Sequence, residues 1–404
     1  MKDLARLQER LKELERSLQA CMRCGMCQSV CPVFERTGLE SDVTRGKLAL
    51  LDGLARDLMH DHSGAAERLQ RCLLCGSCEA NCPSGVRAKD IFLNAREILT
   101  TFQGLSPVKR ILLRSLLAHP RLFDWLMSVA ARLQPLVLKK GDQTLGSSCG
   151  GIITGLLPQG PLGKGVHVRG LAKTPFHATC PEAHIPAHSG QPTAAFFTGC
   201  VIDKLFPGVA QASLAVLEHY GVGVFMPANQ GCCGIPALAS GDRDTARSLL
   251  RHNLERFARA EFDVVLTGCA TCAATLRELW PSTNWELEPG EQAALDAFSS
   301  KAMDITAFLD RHLDLDPDME KAEGHKPLAT YHDPCHLRKS LEVFKEPRAL
   351  LRQAGYQLKE MANPDACCGM GGSFHLSHYE LSAAIGDAKA RDILATGAEV
   401  AVTA

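Results

Sequence analysis

Two short cysteine runs constrain this chain more than any other feature. Residues 21–32 read CMRCGMCQSVCP and residues 72–83 read CLLCGSCEANCP, so the spacing C-x2-C-x2-C-x3-C-P occurs twice. Three thiolates at this spacing curl a loop around one corner of a [4Fe–4S] cube. The duplicated pattern therefore predicts two [4Fe–4S] clusters. Gly25 and Gly76 lie where each loop needs a residue without a side chain.

The ligands are expected to cross over between the runs. In proteins that hold two such clusters, the cysteine before the proline ligates the other cluster. Structural zinc also uses C-x2-C pairs, but it takes its four ligands from two separated pairs, whereas each run here already carries four cysteines. Zinc is therefore disfavoured. The exchange assigns Cys21, Cys24, Cys27 and Cys82 to one cluster, and Cys72, Cys75, Cys78 and Cys31 to the other.

The C-terminal half contains a second repeat. Cys200 is followed by 31 residues, by Cys232-Cys233-Gly234 and then by Cys269-x2-Cys272. A second copy begins at Cys335 and reaches Cys367-Cys368-Gly369 after the same interval. In each copy an apolar, β-rich run such as FDVVLTGC ends at a cysteine or a turn, and a helical pattern follows.

Alternating strands and helices predict a parallel α/β layer in each copy, with the cysteines at the carboxyl ends of strands. The fold class expected is α/β for tandem C-terminal domains, plus an α-helical dicluster domain at the N-terminus. The segment TRGKLALLDGLARDL between the cysteine runs predicts a helix packed on that domain. The expected divisions are a cluster domain at 1–105, a helical connector and Gly/Pro-rich linker at 106–195, a first cysteine-rich domain at 196–325 and a second at 326–404.

The pattern C-x31-CCG-x34-C-x2-C resembles the CCG, or cysteine-rich, domain of heterodisulfide reductases and their relatives. A ferredoxin-like N-terminus followed by two such domains is similar to the iron–sulfur subunit of glycolate oxidase and of related D-lactate dehydrogenases. That similarity includes RCLLCGSCEANCPSGVRAKDIF and covers nearly the whole chain. The iron–sulfur subunit of anaerobic glycerol-3-phosphate dehydrogenase has the same layout, and its resemblance weighs most in CCGIPALASGDRDTA.

In the heterodisulfide reductase family a complete CCG motif supplies five thiolates to a noncubane [4Fe–4S] cluster. A zinc site, or a fold that has lost its metal, is the alternative, since thiolate-rich sites also suit zinc. The resemblance implies that the five ligands here are Cys200, Cys232, Cys233, Cys269 and Cys272.

The second copy departs from the pattern, because Ala404 stands where a repeat of Cys269 would fall. We expect either a chain shortened within its last repeat or a degenerate site, and a complete second noncubane cluster is not expected. Three cysteines packed as small apolar residues are an equally good interpretation. The residues concerned are Cys335, Cys367 and Cys368.

The resemblance implies an electron-transfer subunit without catalytic residues of its own. A partner subunit carrying FAD would oxidise a 2-hydroxy acid, glycolate or D-lactate, and electrons would leave to a quinone or another redox carrier. The chain shows no flavin or nicotinamide fingerprint: GMGGSF at 369–374 lacks the spacing of a dinucleotide-binding motif. Two rival classes are a thiol:disulfide reductase, disfavoured by the missing second C-x2-C, and a zinc-stabilised scaffold.

Charge and termini bear on location. The 44 basic residues nearly balance 45 acidic ones, which gives no bias toward nucleic acid. The opening MKDLARLQERLKELERSLQA alternates charges with leucine and lacks the apolar core of a signal peptide. No run reaches the ~20 apolar residues that span a bilayer. We expect a cytoplasmic protein, where thiols stay reduced and clustered cysteines more often bind metal.

The connector carries the weakest signals. Residues 106–140 hold seven basic residues and one acid among leucines and aromatic residues. They are interpreted as amphipathic helices joining domains, with docking to a partner or peripheral contact with an anionic membrane as the alternative. Residues 141–195 are expected to be a linker. Within it Cys149 has no evident partner, and a solvated loop is favoured over a metal site for His177, Cys180, His184 and His188.

Overall fold

The computed structural model describes residues 7, 9–137, 170–315 and 326–404. The chain divides into two compact units. The first unit comprises residues 1–110, 235–246 and 316–404, and the second comprises residues 111–234 and 247–315. The cluster domain and the second cysteine-rich copy therefore belong to one unit, and the first copy, without the segment 235–246, belongs to the other.

The regular secondary structure of the N-terminal part of the first unit, as far as the structure describes it, is helical. Each cysteine run opens a one-turn helix directly after a left-handed glycine, Gly25 with φ of +88° and Gly76 with φ of +75°. The helix predicted between the runs is confirmed at Thr44–Ala55. The helices are α1 Glu15–Gln19, α2 Met26–Ser29, α3 Pro32–Thr37, α4 Thr44–Ala55, α5 His62–Gln70, α6 Ser77–Ala80, α7 Ala88–Gln103 and α8 Pro107–Arg110, with a 3-10 turn at Glu40–Asp42.

The long helix α7 contributes one apolar face to the core of this part. Its apolar face, which includes Phe92 and Leu99, is buried against leucines of α4 and α5. Several cysteines are partly buried at the rim of this core, namely Cys21, Cys72, Cys78 and Cys82. The two cysteine loops are thus anchored on a packed apolar core and not on one another alone.

Arg96 of α7 ties the second cysteine run to this core. Arg96 is only 4% exposed, and its guanidinium donates to the carbonyl oxygens of Leu69 at 2.6 Å, Cys72 at 2.6 Å and Ala239 at 2.8 Å. Burial lowers the pKa of Arg96. Because all three acceptors are backbone carbonyls, the arginine holds the chain at the first cysteine of the run in one position.

The second cysteine-rich copy completes the first unit. Its two described strands pair in parallel, Ala329 opposite Val400 and Tyr331 opposite Val402. The copy packs on the cluster domain through Val33, Leu73, Phe374 and Ile385. Its elements are β6 Ala329–Tyr331, a π-helical turn His336–Ser340, α19 Glu346–Gln353, α20 Ser373–Ser377, α21 Tyr379–Ala395 and β7 Val400–Val402; α13 Ile235–Ala239 also belongs to this unit.

The second unit is built on a five-stranded sheet with the order β1-β3-β2-β4-β5. Strand β1 runs antiparallel to β3, and the other pairs are parallel, as predicted for a cysteine-rich copy. The strands are β1 Ala183–Ile185, β2 Thr193–Phe196, β3 Gly223–Met226, β4 Val264–Thr267 and β5 Ala302–Asp304. The helices are α9 Pro120–Val137, α10 Phe176–Thr179, α11 Cys200–Leu205, α12 Pro207–His219, α14 Arg243–Phe257, α15 Ala270–Ala274, α16 Trp280–Ser282, α17 Pro289–Ser300 and α18 Ile305–His312, with π-helical turns at Ile111–Leu117 and Thr275–Leu279. The first four residues of α14 belong to the first unit.

The segment 141–195 differs from the expected linker. Residues 138–169, including Cys149, lie outside the described residues. The remainder forms α10 and the edge strand β1, and Phe176 is 2% exposed in the core of the second unit. The prolines of this segment, Pro175, Pro181 and Pro186, flank these short elements. None of the described helices is long and apolar enough to cross a membrane.

Arg96→Met is expected to lower the free energy of unfolding by roughly 3 kcal/mol, because it leaves buried carbonyl oxygens without donors. Denaturant titration of the metal-free protein measures this change. Arg87→Met is the matched control, since Arg87 is exposed and its ion pair among the described residues is with Asp90 at 2.8 Å. Equal stability of the two variants would contradict the role assigned to Arg96.

Candidate metal centres

The thiols of the two N-terminal runs surround two small cavities. One cavity is lined by four thiols from both runs together with Cys78. A Cβ at Gly25 would lie 2.7 Å from the Arg45 guanidinium, which also lines this cavity. The four thiols are those that the exchange between runs assigns to one cluster, Cys21, Cys24, Cys27 and Cys82.

The second cavity adjoins the first through Cys78, which lines both. It is lined by Cys31 of the first run and by three cysteines of the second, Cys72, Cys75 and Cys78. The structure therefore brings together both predicted ligand sets. Four soft thiol donors around an enclosed space suit a [4Fe–4S] cluster.

Burial raises the pKa values of two thiols at the second cavity. Burial raises the pKa of Cys31 to about 11 and raises that of Cys78 further. Lys47, which is 1% exposed, lines the second cavity and donates to the Asp42 carbonyl oxygen. Burial lowers the pKa of Lys47, and the neighbouring Cys72 opposes that shift. A buried cation beside buried thiolates offsets part of their desolvation cost.

In the first cysteine-rich copy all five predicted thiols are joined in one chain. Hydrogen bonds link Cys200 to Cys232, Cys232 to Cys233, Cys233 to Cys272 and Cys272 to Cys269. The Sγ atoms of Cys200 and Cys232 are 3.6 Å apart. These bonds raise the pKa values of Cys232 and Cys272, and the bond from Cys272 lowers that of Cys269. The parallel strands β2, β3 and β4 explain this convergence, because their carboxyl ends share one edge of the sheet.

Two buried polar side chains hold the adjacent cysteines of this copy. Asn253 is 0% exposed, donates to the Cys232 carbonyl oxygen at 3.0 Å and accepts from the Gly231 N–H at 2.8 Å. The indole of Trp280 donates to the Cys233 carbonyl oxygen at 3.0 Å. With its backbone held on both sides, the Cys232-Cys233 pair presents its thiols in a fixed direction.

Gly199 leaves room for this thiol chain. Its φ is +72°, and a Cβ built on it would lie 2.9 Å from the Sγ atom of Cys272. Any other residue would be strained in the backbone and would displace that sulfur.

In the second copy, Cys335 and Cys367 face the cluster domain instead of a thiol set of their own. Cys367 hydrogen-bonds both Cys335 and Cys75, which raises its pKa. The bond from Cys367 lowers the pKa of Cys75 to about 5. Cys368 is exposed. The second copy thus brings two of its three cysteines to a predicted ligand of the second cluster.

The histidines of the connector differ in their surroundings. His177 lies beside Asp203, with Nδ1 2.9 Å from Oδ2, so the solvated-loop interpretation is wrong for this residue. His184 and His188 are exposed, on and after β1. Cys180 lines a cavity near Cys200.

Asp124, His177 and Asp203 could hold a cation by their spacing. The ammonium of Lys204 already lies among them, 2.6 Å from Asp124 Oδ1 and hydrogen-bonded to Asp203. Lys204 thus supplies the positive charge in this group. Sequence reasoning missed Asp203 and Lys204, although they follow Cys200 by about one helical turn and thus share its side of α11.

Comparison with known proteins agrees with these motifs. A 4Fe-4S dicluster domain model matches residues 17–86, and a cysteine-rich domain (CCG) model matches residues 194–277 and 329–404. The probable glycolate oxidase iron-sulfur subunit of Bacillus subtilis is 30% identical over 100% of this chain and 90% of that protein. The glycolate oxidase iron-sulfur subunit of Escherichia coli is 27% identical over 98% and 89%. Lactate utilization protein A of Shouchella clausii is 35% identical over 52% and 84%.

These matches define an iron–sulfur protein built from a dicluster domain and two cysteine-rich domains. Within that class, the chain belongs to the family of glycolate oxidase iron–sulfur subunits.

Gly199→Ala is expected to destabilise the protein by about 2 kcal/mol, through backbone strain and the contact with Cys272. Gly208→Ala is the matched control, because a Cβ there meets nothing within 4 Å. That control should remain within about 0.5 kcal/mol of wild type or exceed it, since alanine favours helix over glycine. Thermal unfolding and the alkylation rate of the Cys272 thiol are the measurements. Unchanged values for Gly199→Ala would show that the sulfur has room to move.

Proposed function

We propose that this chain is the electron-transfer subunit of a flavin-dependent 2-hydroxy acid dehydrogenase, acting on glycolate or D-lactate. Its partner is a FAD-containing subunit, and the electrons leave to a quinone or another redox carrier. The observation that carries the proposal is the gathering of thirteen predicted cysteine ligands into three thiol sets, four, four and five, in the described part of the chain. The named relatives support the redox role.

Each thiol set has a proposed occupant. The two N-terminal sets hold [4Fe–4S] clusters, and the set of Cys200, Cys232, Cys233, Cys269 and Cys272 holds a noncubane [4Fe–4S] cluster. Iron–sulfur clusters accept and release one electron at a time when bound, which suits a partner flavin that takes two electrons from its substrate. The buried cation of Lys47 offsets negative charge at the second N-terminal site.

We further propose that the second cysteine-rich copy does not hold a complete cluster. Cys367 hydrogen-bonds both Cys335 and Cys75, and Lys339 of the same copy donates to the Ser77 hydroxyl at 2.6 Å. Lys89 in turn donates to the Ser340 hydroxyl at 2.8 Å. These contacts support a role in positioning the second cysteine loop.

Cys232→Ser is expected to remove about four of about twelve irons per chain and to preserve both cubane EPR signals. Electron transfer from the flavin partner to the terminal acceptor should be lost, because the five-thiol chain is broken at its second member. Iron and acid-labile sulfide analysis of protein purified without oxygen measures the first effect. Cys149→Ser, at a cysteine without a predicted partner, serves as control. Loss of both cubane signals in Cys232→Ser would contradict independent sites, and a colourless, iron-free wild type would favour the zinc scaffold.

Lys47→Met should make the midpoint potential of the second N-terminal cluster more negative, by on the order of 50 mV, because a cation that favours the reduced state is removed. Methionine keeps the apolar volume of the stem, so iron content should not change. Redox titration followed by EPR gives the potential. The exposed Lys12→Met is the control. A fully loaded Lys47→Met protein with an unshifted potential would exclude the electrostatic role of this lysine.

A further inference from the structure

A cavity in the second unit adjoins the five-thiol set. Its volume is about 150 Å³, and Cys200 and Cys232 form part of its wall. Two other kinds of side chain line it: a charged group of Asp124, His177, Asp203 and Lys204, and an apolar group that includes Phe123, Phe176 and Met226. The cavity thus joins a predicted redox centre, hydrogen-bonding groups and an apolar wall in one space.

The charged side chains are connected by hydrogen bonds and ion pairs. Asp203 is 8% exposed and Lys204 6%. Asp203 accepts from the His177 backbone N–H at 2.8 Å and lies 2.9 Å from its ring Nδ1. Although burial alone would raise the pKa of Asp203, the hydrogen bonds from His177 and the charge of Lys204 lower it. Asp203 therefore stays ionised and fixes the position of both neighbours.

This arrangement leaves two proton donors at the cavity. The ammonium of Lys204 bonds Asp124 and Asp203 and lies 3.3 Å from the Nδ1 atom of His177, so its third proton is unshared when Nδ1 itself donates to Asp203. The Nδ1 atom of His177 is turned toward Asp203, so the ring gives up a proton from Nε2 when both of its nitrogens carry one. His177 keeps about a third of its side chain exposed, so it can exchange protons with water.

The size and the apolar wall restrict the ligand. A cavity of about 150 Å³ admits a benzene ring, as an engineered apolar cavity of that size shows. A quinone ring is flat and apolar on its faces and carries two carbonyl oxygens that accept hydrogen bonds. An apolar slot with proton donors in its wall therefore suits a quinone ring.

We propose that this cavity binds the ring of a quinone and that His177 and Lys204 are the residues that protonate it. The inference deepens the proposed function by naming the acceptor and its site. Two electrons from the hydroxy acid reach the ring by way of this chain, and two protons join the two carbonyl oxygens, so quinone becomes hydroquinone. His177 and Lys204 then regain their protons from solvent.

The outer faces of the lining helices favour a lipophilic quinone. On α9 and α11 the exposed residues include Leu122 at 42%, Trp125 at 62% and Val201 at 44%. Arg121 and Arg132 of α9 are also exposed. Basic residues beside tryptophan and leucine are typical of a helix lying at a membrane surface, where such quinones dissolve.

The test uses the full chain with its iron–sulfur clusters loaded, reduced by dithionite without oxygen and freed of excess reductant. A short-tailed, water-soluble benzoquinone is then added, and reoxidation is followed by absorbance. His177→Gln and Lys204→Met are expected to slow reoxidation by quinone about tenfold or more, the effect of one lost charge-assisted hydrogen bond. Ferricyanide, which needs no protons, should reoxidise wild type and variants equally fast. The matched control is His184→Gln, at an exposed histidine outside the cavity.

Phe123→Trp keeps the charged network and narrows the cavity, so it tests binding if Lys204→Met fails to fold. It should weaken equilibrium binding of the same quinone about tenfold, with iron content unchanged. Wild-type rates in His177→Gln and unaltered binding in Phe123→Trp would overturn the proposal. So would reduction of a small organic disulfide in place of the quinone. This quinone test contains no flavoprotein. In a separate assay with the FAD subunit, failure of the hydroxy acid to reduce the chain would therefore count against the proposed function alone.

Discussion

The cost of placing charged sulfur away from water governs this structure. A thiolate in a poorly hydrated site needs a cation, a hydrogen bond or a metal, or it takes up a proton. The second N-terminal site has Lys47 within the cavity and Arg96 at the backbone of Cys72. The five-thiol set of the second unit relies instead on hydrogen bonds shared from sulfur to sulfur. Two different solutions to one electrostatic problem thus occur in a single chain.

The two cysteine-rich copies show how one motif can serve two purposes. Both place their first cysteine just after a parallel strand, at Cys200 and Cys335. In the first copy the CCG cysteines hydrogen-bond to one another. Asn253 and Trp280 donate to their backbone carbonyl oxygens. In the second, Cys367 is bonded to Cys75, and Gly371 approaches Leu73 so closely that a Cβ would lie 2.4 Å from its Cδ2 atom. The second copy resembles a lid packed on a cluster loop more than an independent site.

Local patterns made much of this predictable. The cysteine spacings, the helix at Thr44–Ala55 and the parallel strands all follow from residues close in sequence, and the structure brings the exchanged sets of four thiols together. What escaped sequence reasoning depends on distant pairs. Asp124 reaches Lys204 across 80 residues, and Asn253 reaches Cys232 across 21. No periodicity reports such pairs, and the prolines around Phe176 made a structured segment look like a loop.

The contact between Cys75 and Cys367 has a consequence for biosynthesis. A chain emerges from the ribosome N-terminus first, so the second cysteine loop is exposed long before residue 367 exists. Until then Leu73 and Val33 lack the apolar cover of Phe374 and Ile385, and the thiol of Cys75 is open to oxidants and to foreign metals. This N-terminal site can therefore close only after residues 367–385 have been made. The cysteine loop at this site is made early, and the residues that cover it are made much later.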